Sequence, residues 1–161
     1  MHYILDTNIF IDSKNRYYSF EICPGFWDAI EVNKKITTIE MVVDEIKRYE
    51  DNLARWFQDS SFKNKIIKID EEIQRNFSEI AEYVNNLDKK DSEKNKFLSG
   101  ADPWLIATCK TYGYFLVTSE VAVGIDSKKI KIPNICEVFE VKYISLFEML
   151  KREKIKFYFK N

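Results

Sequence analysis

Four carboxylates could share one chemical task in this chain: Asp6, Glu45, Asp102 and Glu120. Asp6 poses the problem most sharply, because it interrupts YILDTNIF at residues 3–10, where Ile4, Leu5, Ile9 and Phe10 would otherwise make a short buried strand. An unpaired buried carboxylate costs several kcal/mol, against a whole-domain stability of about 5 to 15 kcal/mol. Two compensations are open. Asp6-Thr7-Asn8 can form a turn in which the side chains bond to backbone N–H groups. Alternatively, Asp6 ends a central parallel strand, where open α/β sheets place ligands, and a cation neutralises it.

The other acids also fall at element ends or on apolar faces. Glu45 lies beside Val42, Val43 and Ile46, Asp102 starts a helix, and Glu120 follows the strand at residues 115–118. Each has a purely structural explanation. Asp102 before Pro103 makes a good helix N-cap, Glu45 can pair with Arg48 or Tyr49, and Glu120 can open a solvated loop. Gathered together, however, the acids would repel, and at least one would keep its proton. Mg²⁺ or Mn²⁺ relieves that repulsion, since hard cations take oxygen ligands and complete their shell with water and substrate phosphate.

The single histidine, His2, adjoins the initiator methionine. Serine–histidine, cysteine–histidine and histidine-pair mechanisms therefore lack a good imidazole. A hydrolase built on this chain would activate water with a metal held on carboxylates.

An alternation of strands and helices must position these residues, which predicts an α/β fold with a parallel sheet. Strands are expected at residues 3–6, 36–38 and 115–118, with weaker candidates at 66–69 and 139–141. A short helix carries Phe26, Trp27 and Ile30. Another runs through Val42, Val43, Ile46 and Tyr49 and continues to Leu53, Trp56 and Phe57. The clearest helix opens at Asp70, with Ile73, Phe77, Ile80, Ala81, Val84 and Leu87 on one stripe. Residues 85–96, polar except for Leu87, read as a loop or solvated helix end. A helix begins at residues 101–103 and stops near Gly113, and a final helix covers 144–150.

At 161 residues the chain is expected to be one domain, with a 45% hydrophobic fraction sufficient for a core. Lys plus Arg (25) and Asp plus Glu (26) nearly cancel, so nucleic acid would have to be met through local basic patches. Such patches occur at Lys128, Lys129 and Lys131, and at Lys151, Arg152, Lys154 and Lys156. Lys14 and Arg16, beside Tyr17 and Tyr18, are expected in a loop after the first strand, able to meet phosphate and stack on bases. Three cysteines without C-x-x-C spacing read as buried thiols of a cytoplasmic protein. No secretory signal is evident, nor any apolar stretch of the roughly 20 residues needed to cross a bilayer, so no membrane partner is expected.

LDTN at residues 5–8, VVDEI at 42–46, GADPWLIA at 100–107 and LVTSE at 116–120, in that order, give the chain a resemblance to PIN-like domains. Residues 14–30, KNRYYSFEICPGFWDAI, are similar to a PIN-like branch catalogued as a domain of unknown function. The resemblance spans nearly the whole chain and implies a three-layer α/β/α fold with a mostly parallel central sheet. It further implies a Mg²⁺- or Mn²⁺-dependent endoribonuclease, the toxin of a toxin–antitoxin pair, with RNA as substrate, an antitoxin protein as partner and a homodimer as a possible assembly. Asp6, Glu45, Asp102 and Glu120 would form the catalytic and metal-binding cluster. Asn8 would position the first carboxylate or substrate, and Thr118 would hydrogen-bond near the metal site; Arg16, from the basic stretch after the first strand, would meet RNA. The family pattern commonly ends in aspartate within a Thr-x-Asp run, where this chain has Glu120. Two alternatives stand beside it: a catalytically silent PIN-like module binding RNA or protein, and a haloacid-dehalogenase-type phosphatase. The latter normally wants a second aspartate two residues after Asp6, where this chain has Asn8.

Overall fold

Tyr3, Ile4 and Leu5 are fully buried, so the first strand is covered on both faces and reads as a continuous apolar run. In the computed structural model, which describes residues 1–158, that strand (β1, Tyr3–Leu5) is central. It pairs in parallel with β2 (Ile36–Thr37) on one side and β3 (Phe115–Val117) on the other, and β3 pairs in parallel with β4 (Tyr143–Ile144). The sheet order is β2-β1-β3-β4. Because parallel crossovers are right-handed, the connections β1 to β2 and β3 to β4, which step in opposite directions, put their helices on opposite faces. The result is an α/β fold with a parallel sheet, as the alternating pattern predicts, in the three-layer α/β/α arrangement that the resemblance implies.

Nine α-helices surround this sheet among the described residues: α1 (Thr7–Asp12), α2 (Pro24–Val32), α3 (Glu40–Lys47), α4 (Asn52–Asp59), α5 (Glu71–Asn85), α6 (Asp91–Ser99), α7 (Asp102–Tyr112), α8 (Ile132–Val138) and α9 (Leu146–Arg152). The stripe expected on α5 buries Ile73, Ile80 and Val84, and Phe77 stacks on Trp104 of α7 with ring centroids 3.7 Å apart. Gly113, at φ +67°, ends α7 in the left-handed conformation that favours glycine. One buried cluster extends from Tyr3 to Leu150. No described helix is long and apolar enough to cross a membrane.

Several expected boundaries move. The loop after the first strand is instead α1 followed by a π-helical turn at Ser13–Tyr17, so Lys14 and Arg16 sit on helical backbone. The helix expected to run from Val42 to Phe57 breaks in two. Glu50 takes a positive φ of 50°, and Asp51 caps α4 by accepting the N–H groups of Leu53 and Ala54 at 2.9 and 3.1 Å. Lys14 pairs with that same Asp51. Residues 66–69 supply only an isolated bridge between Ile39 and Ile67. The polar stretch before residue 97 holds α6, anchored by buried Phe97. The last strand lies at Tyr143–Ile144 rather than 139–141, and Ser145 caps the final helix. The cysteines are free, with Cys109 and Cys136 buried.

Replacing Asp51 removes a double N-cap and the partner of Lys14. Asp51→Ala is expected to lower the unfolding free energy by about 1 to 2 kcal/mol in urea titration. An unchanged midpoint would mean that the break between α3 and α4 does not depend on this cap.

Candidate functional site

The end of β1 is tied down by two long-range bonds. The Leu5 carbonyl accepts the Thr38 hydroxyl at 2.7 Å, and the Asp6 N–H donates to the Val117 carbonyl at 3.0 Å. Asp6 therefore sits between the carboxyl ends of β1 and β3. There the connections leave in opposite directions, the crevice where open α/β sheets hold ligands. Its backbone is the extended N-cap of α1, yet its carboxylate makes no capping bond. Oδ2 accepts the Thr118 hydroxyl at 3.0 Å, while Oδ1, fully buried, has no partner. The other unpartnered buried side-chain atoms among the described residues are the hydroxyls of Ser13 and Ser60. Leaving a neutral hydroxyl unpaired costs far less than leaving a carboxylate oxygen so.

The remaining acids are held differently. Glu45, on α3, accepts the Thr7 hydroxyl at 2.6 Å and the Ala101 N–H at 2.8 Å, joining the starts of α1 and α7. It does not depend on Arg48 or Tyr49 for a partner. Asp102 occupies the first turn of α7 rather than the cap, which is Ala101. Glu120 is no solvated loop residue: its side chain is 15% exposed, and its oxygens accept Lys131 Nζ at 2.6 Å and the Ile132 N–H at 2.8 Å. The Glu120 N–H in turn donates to Thr118 Oγ1 at 3.1 Å, so Thr118 links Glu120 to Asp6.

Two adjoining pockets share Asn8, Glu45 and Asp102. One, of about 500 Å³, reaches Asp6 at its floor and Arg48 and Tyr49 at its rim. The other, of about 360 Å³, is walled by Glu120 and by Lys96, Lys129 and Lys131. Each of the four acids thus lines at least one pocket of this depression, and Glu45 and Asp102 line both. Among the described residues, no group of three or more His, Cys, Asp and Glu side chains is assembled so that it could hold a metal ion by itself.

Crowding leaves its mark on protonation. Burial pushes the Asp6 carboxyl up to about 7, against the Thr118 hydroxyl bond that favours its charged form; Glu120 and Glu45 raise it further, and the nearby Asn8 amide lowers it. Burial pushes Asp102 up to about 8, with Asp6, Glu120 and Glu45 adding to the rise and Lys131 opposing it. Asp6, Glu45 and Glu120 thus all stand near enough to Asp102 to favour its protonated form.

Residues 3–157 match the family described as Domain of unknown function (DUF4411). The chain belongs to the DUF4411 family. No curated protein and no solved structure gives a significant match.

In this DUF4411 chain, the residues singled out by sequence divide clearly. Asp6, Asn8, Glu45, Asp102 and Glu120 line the depression, and Thr118 holds Asp6 from behind. Arg16 lines neither pocket; it is exposed and ion-paired with Asp12 at 3.4 Å. Sequence reasoning missed Thr7, which orients Glu45, and assigned Lys131 only to a general basic patch. Thr7 was within reach, standing next to Asp6. The Lys131 partnership was not, since it lies eleven positions after Glu120 with no periodicity between them.

With folded-state values near 7 and 8 against an ordinary 3.8, Asp6 and Asp102 bind more protons folded than unfolded between about pH 4 and 8. Metal-free protein should therefore lose stability as pH rises through that window, at up to about 1.4 kcal/mol per pH unit for each group. Asp6→Asn should unfold much like the parent at pH 5 and resist urea better at pH 8. Parallel pH profiles for the two proteins would exclude Asp6 as the titrating group.

Proposed function

We propose that this chain is a divalent-metal-dependent endoribonuclease of the PIN-like type, hydrolysing RNA phosphodiester bonds. One observation carries the reading: a fully buried carboxylate, Asp6, keeps an unpartnered oxygen at the sheet's ligand-binding crevice, beside a second acid whose proton it helps retain. A fold does not keep such a group for stability, and perturbed carboxylates in a cleft are the mark of functional sites.

The donor set fits Mg²⁺ or Mn²⁺. Every candidate is a hard oxygen, and Mg²⁺ is commonly held by one or two carboxylates with water and substrate phosphate completing its shell. Asp6 and Asp102 would hold it, with Glu45 bordering the same space while bracing α1 against α7. Bound there, the ion supplies positive charge against the phosphodiester and eases the loss of a proton from water. The chain's own part is to hold the Asp6 carboxylate in register through Thr118 and to present Asn8, Arg48 and Tyr49 at the rim. RNA as the substrate, a role as the toxin of a toxin–antitoxin pair and an antitoxin partner follow from the resemblance alone.

A second reading, a silent module that binds RNA or protein without cutting, is favoured by the complete engagement of Glu45 and Glu120 and by the lack of a preassembled three-ligand group. Mn²⁺ calorimetry and an RNA cleavage assay separate the two. The nuclease should bind Mn²⁺, cut RNA with Mg²⁺ or Mn²⁺, stop with EDTA, and lose at least about 100-fold in rate on Asp6→Asn, which should remain folded. No Mn²⁺ binding, with or without RNA, would leave the silent module standing.

A further inference from the structure

We propose that Lys131 is the phosphate-binding cation of this site and that Glu120 is its positioning residue rather than a metal ligand. The proposal rests on the ribonuclease reading for its setting, and on different residues for its support. Lys131 Nζ bonds Glu120 Oε1 at 2.6 Å, and the other oxygen of Glu120 accepts the N–H of Ile132, the next residue in the chain. Glu120 is fixed from its own backbone as well, through Thr118. One carboxylate thereby clamps the lysine at both its head and its neighbouring main chain.

A lysine normally loses considerable rotamer freedom when it is held in place, and an exposed lysine–carboxylate pair contributes little to stability. Here the cost is met during folding, so the ammonium is preorganised before any ligand arrives. Lys131 lines the same pocket as Glu45 and Asp102, and its charge acts on Asp102. Its ammonium has three donors; one goes to Glu120, which leaves two for an anion in the pocket. The net charge of the whole chain is −1, so attraction of a polyanion into an acidic depression needs a local positive wall. Lys131 provides it, with Lys129 and Lys96 further along the same pocket. Each oxygen of Glu120 already accepts a bond, so a metal would have to share them with the lysine and the Ile132 amide.

The test uses the full-length protein with Lys131→Gln, Lys131→Arg, Glu120→Gln and the double variant Glu120→Gln/Lys131→Gln. For a labelled short single-stranded RNA in Ca²⁺, Lys131→Gln should weaken binding about tenfold. It should also reduce the slope of log affinity against log salt by about 0.7, the amount for one lost phosphate contact on a single strand. Lys131→Arg should restore both. Cleavage should fall about 100-fold in Lys131→Gln, and the double variant should be no worse, because the two residues act as one unit. Mn²⁺ affinity by calorimetry should stay within about twofold in Glu120→Gln, as no ligand has been removed. Tenfold weaker Mn²⁺ binding in Glu120→Gln, multiplicative losses in the double variant, or an unaltered salt slope in Lys131→Gln would each overturn the proposal. If the parent protein binds RNA without cutting it, the nuclease reading fails while the salt slope still decides the role of Lys131. A parent that binds no RNA sinks both.

Discussion

Neutralising Asp6 is the constraint around which the rest is arranged. Its backbone is held between β1 and β3 by the Asp6–Val117 bond at the middle of the sheet, and its side chain is fully buried. Its one side-chain bond comes from the Thr118 hydroxyl, to one of its two oxygens, while the Asn8 backbone N–H lies near enough to favour its charged form. An N-cap residue normally bonds its carboxylate to the helix amides that follow; Asp6 completes no such capping bond, although the Asn8 backbone N–H still favours its charge. The surroundings are thus organised to hold this carboxylate in one place while leaving it short of partners. That combination costs stability and suits binding.

Around it, the other acids are disposed by degree. Glu45 is a structural brace as much as a site residue, since its two bonds reach α1 and the start of α7. Asp102 is raised first by burial, and all three of the other acids add to its proton affinity. Glu120 has a cation of its own. A ring of four equivalent ligands would give a symmetric arrangement; what is present is a graded one, with the unsatisfied charge at the Asp6 end and the compensated charge at the Lys131 end.

Much of this was legible because some signals are local. Buried β1 and β3 are short apolar runs, α5 has a complete stripe, and Asp6 stands out as a charge within an apolar segment. Other features depend on residues far apart in sequence. The break at Glu50 is stabilised by Asp51 and by Lys14, which lies thirty-seven positions before Asp51. The polar stretch containing α6 is fastened by one phenylalanine, Phe97, which carries no periodicity. β4 falls where Tyr143 and Ile144 can register with Leu116 and Val117, a choice made by the partner strand rather than by local propensity. The pairing of Glu120 with Lys131 depends on how the segment from 119 to 131 folds back to the start of α8, and no sequence period encodes that path.

The sheet has one more consequence. Its outer strands, β2 and β4, are only two residues long. Short borders offer too few free amides and carbonyls to recruit a foreign strand, which guards the chain against edge-to-edge polymerisation. A second copy of the chain, or any other protein that docks here, would have to engage helical or loop surface rather than extend the ladder.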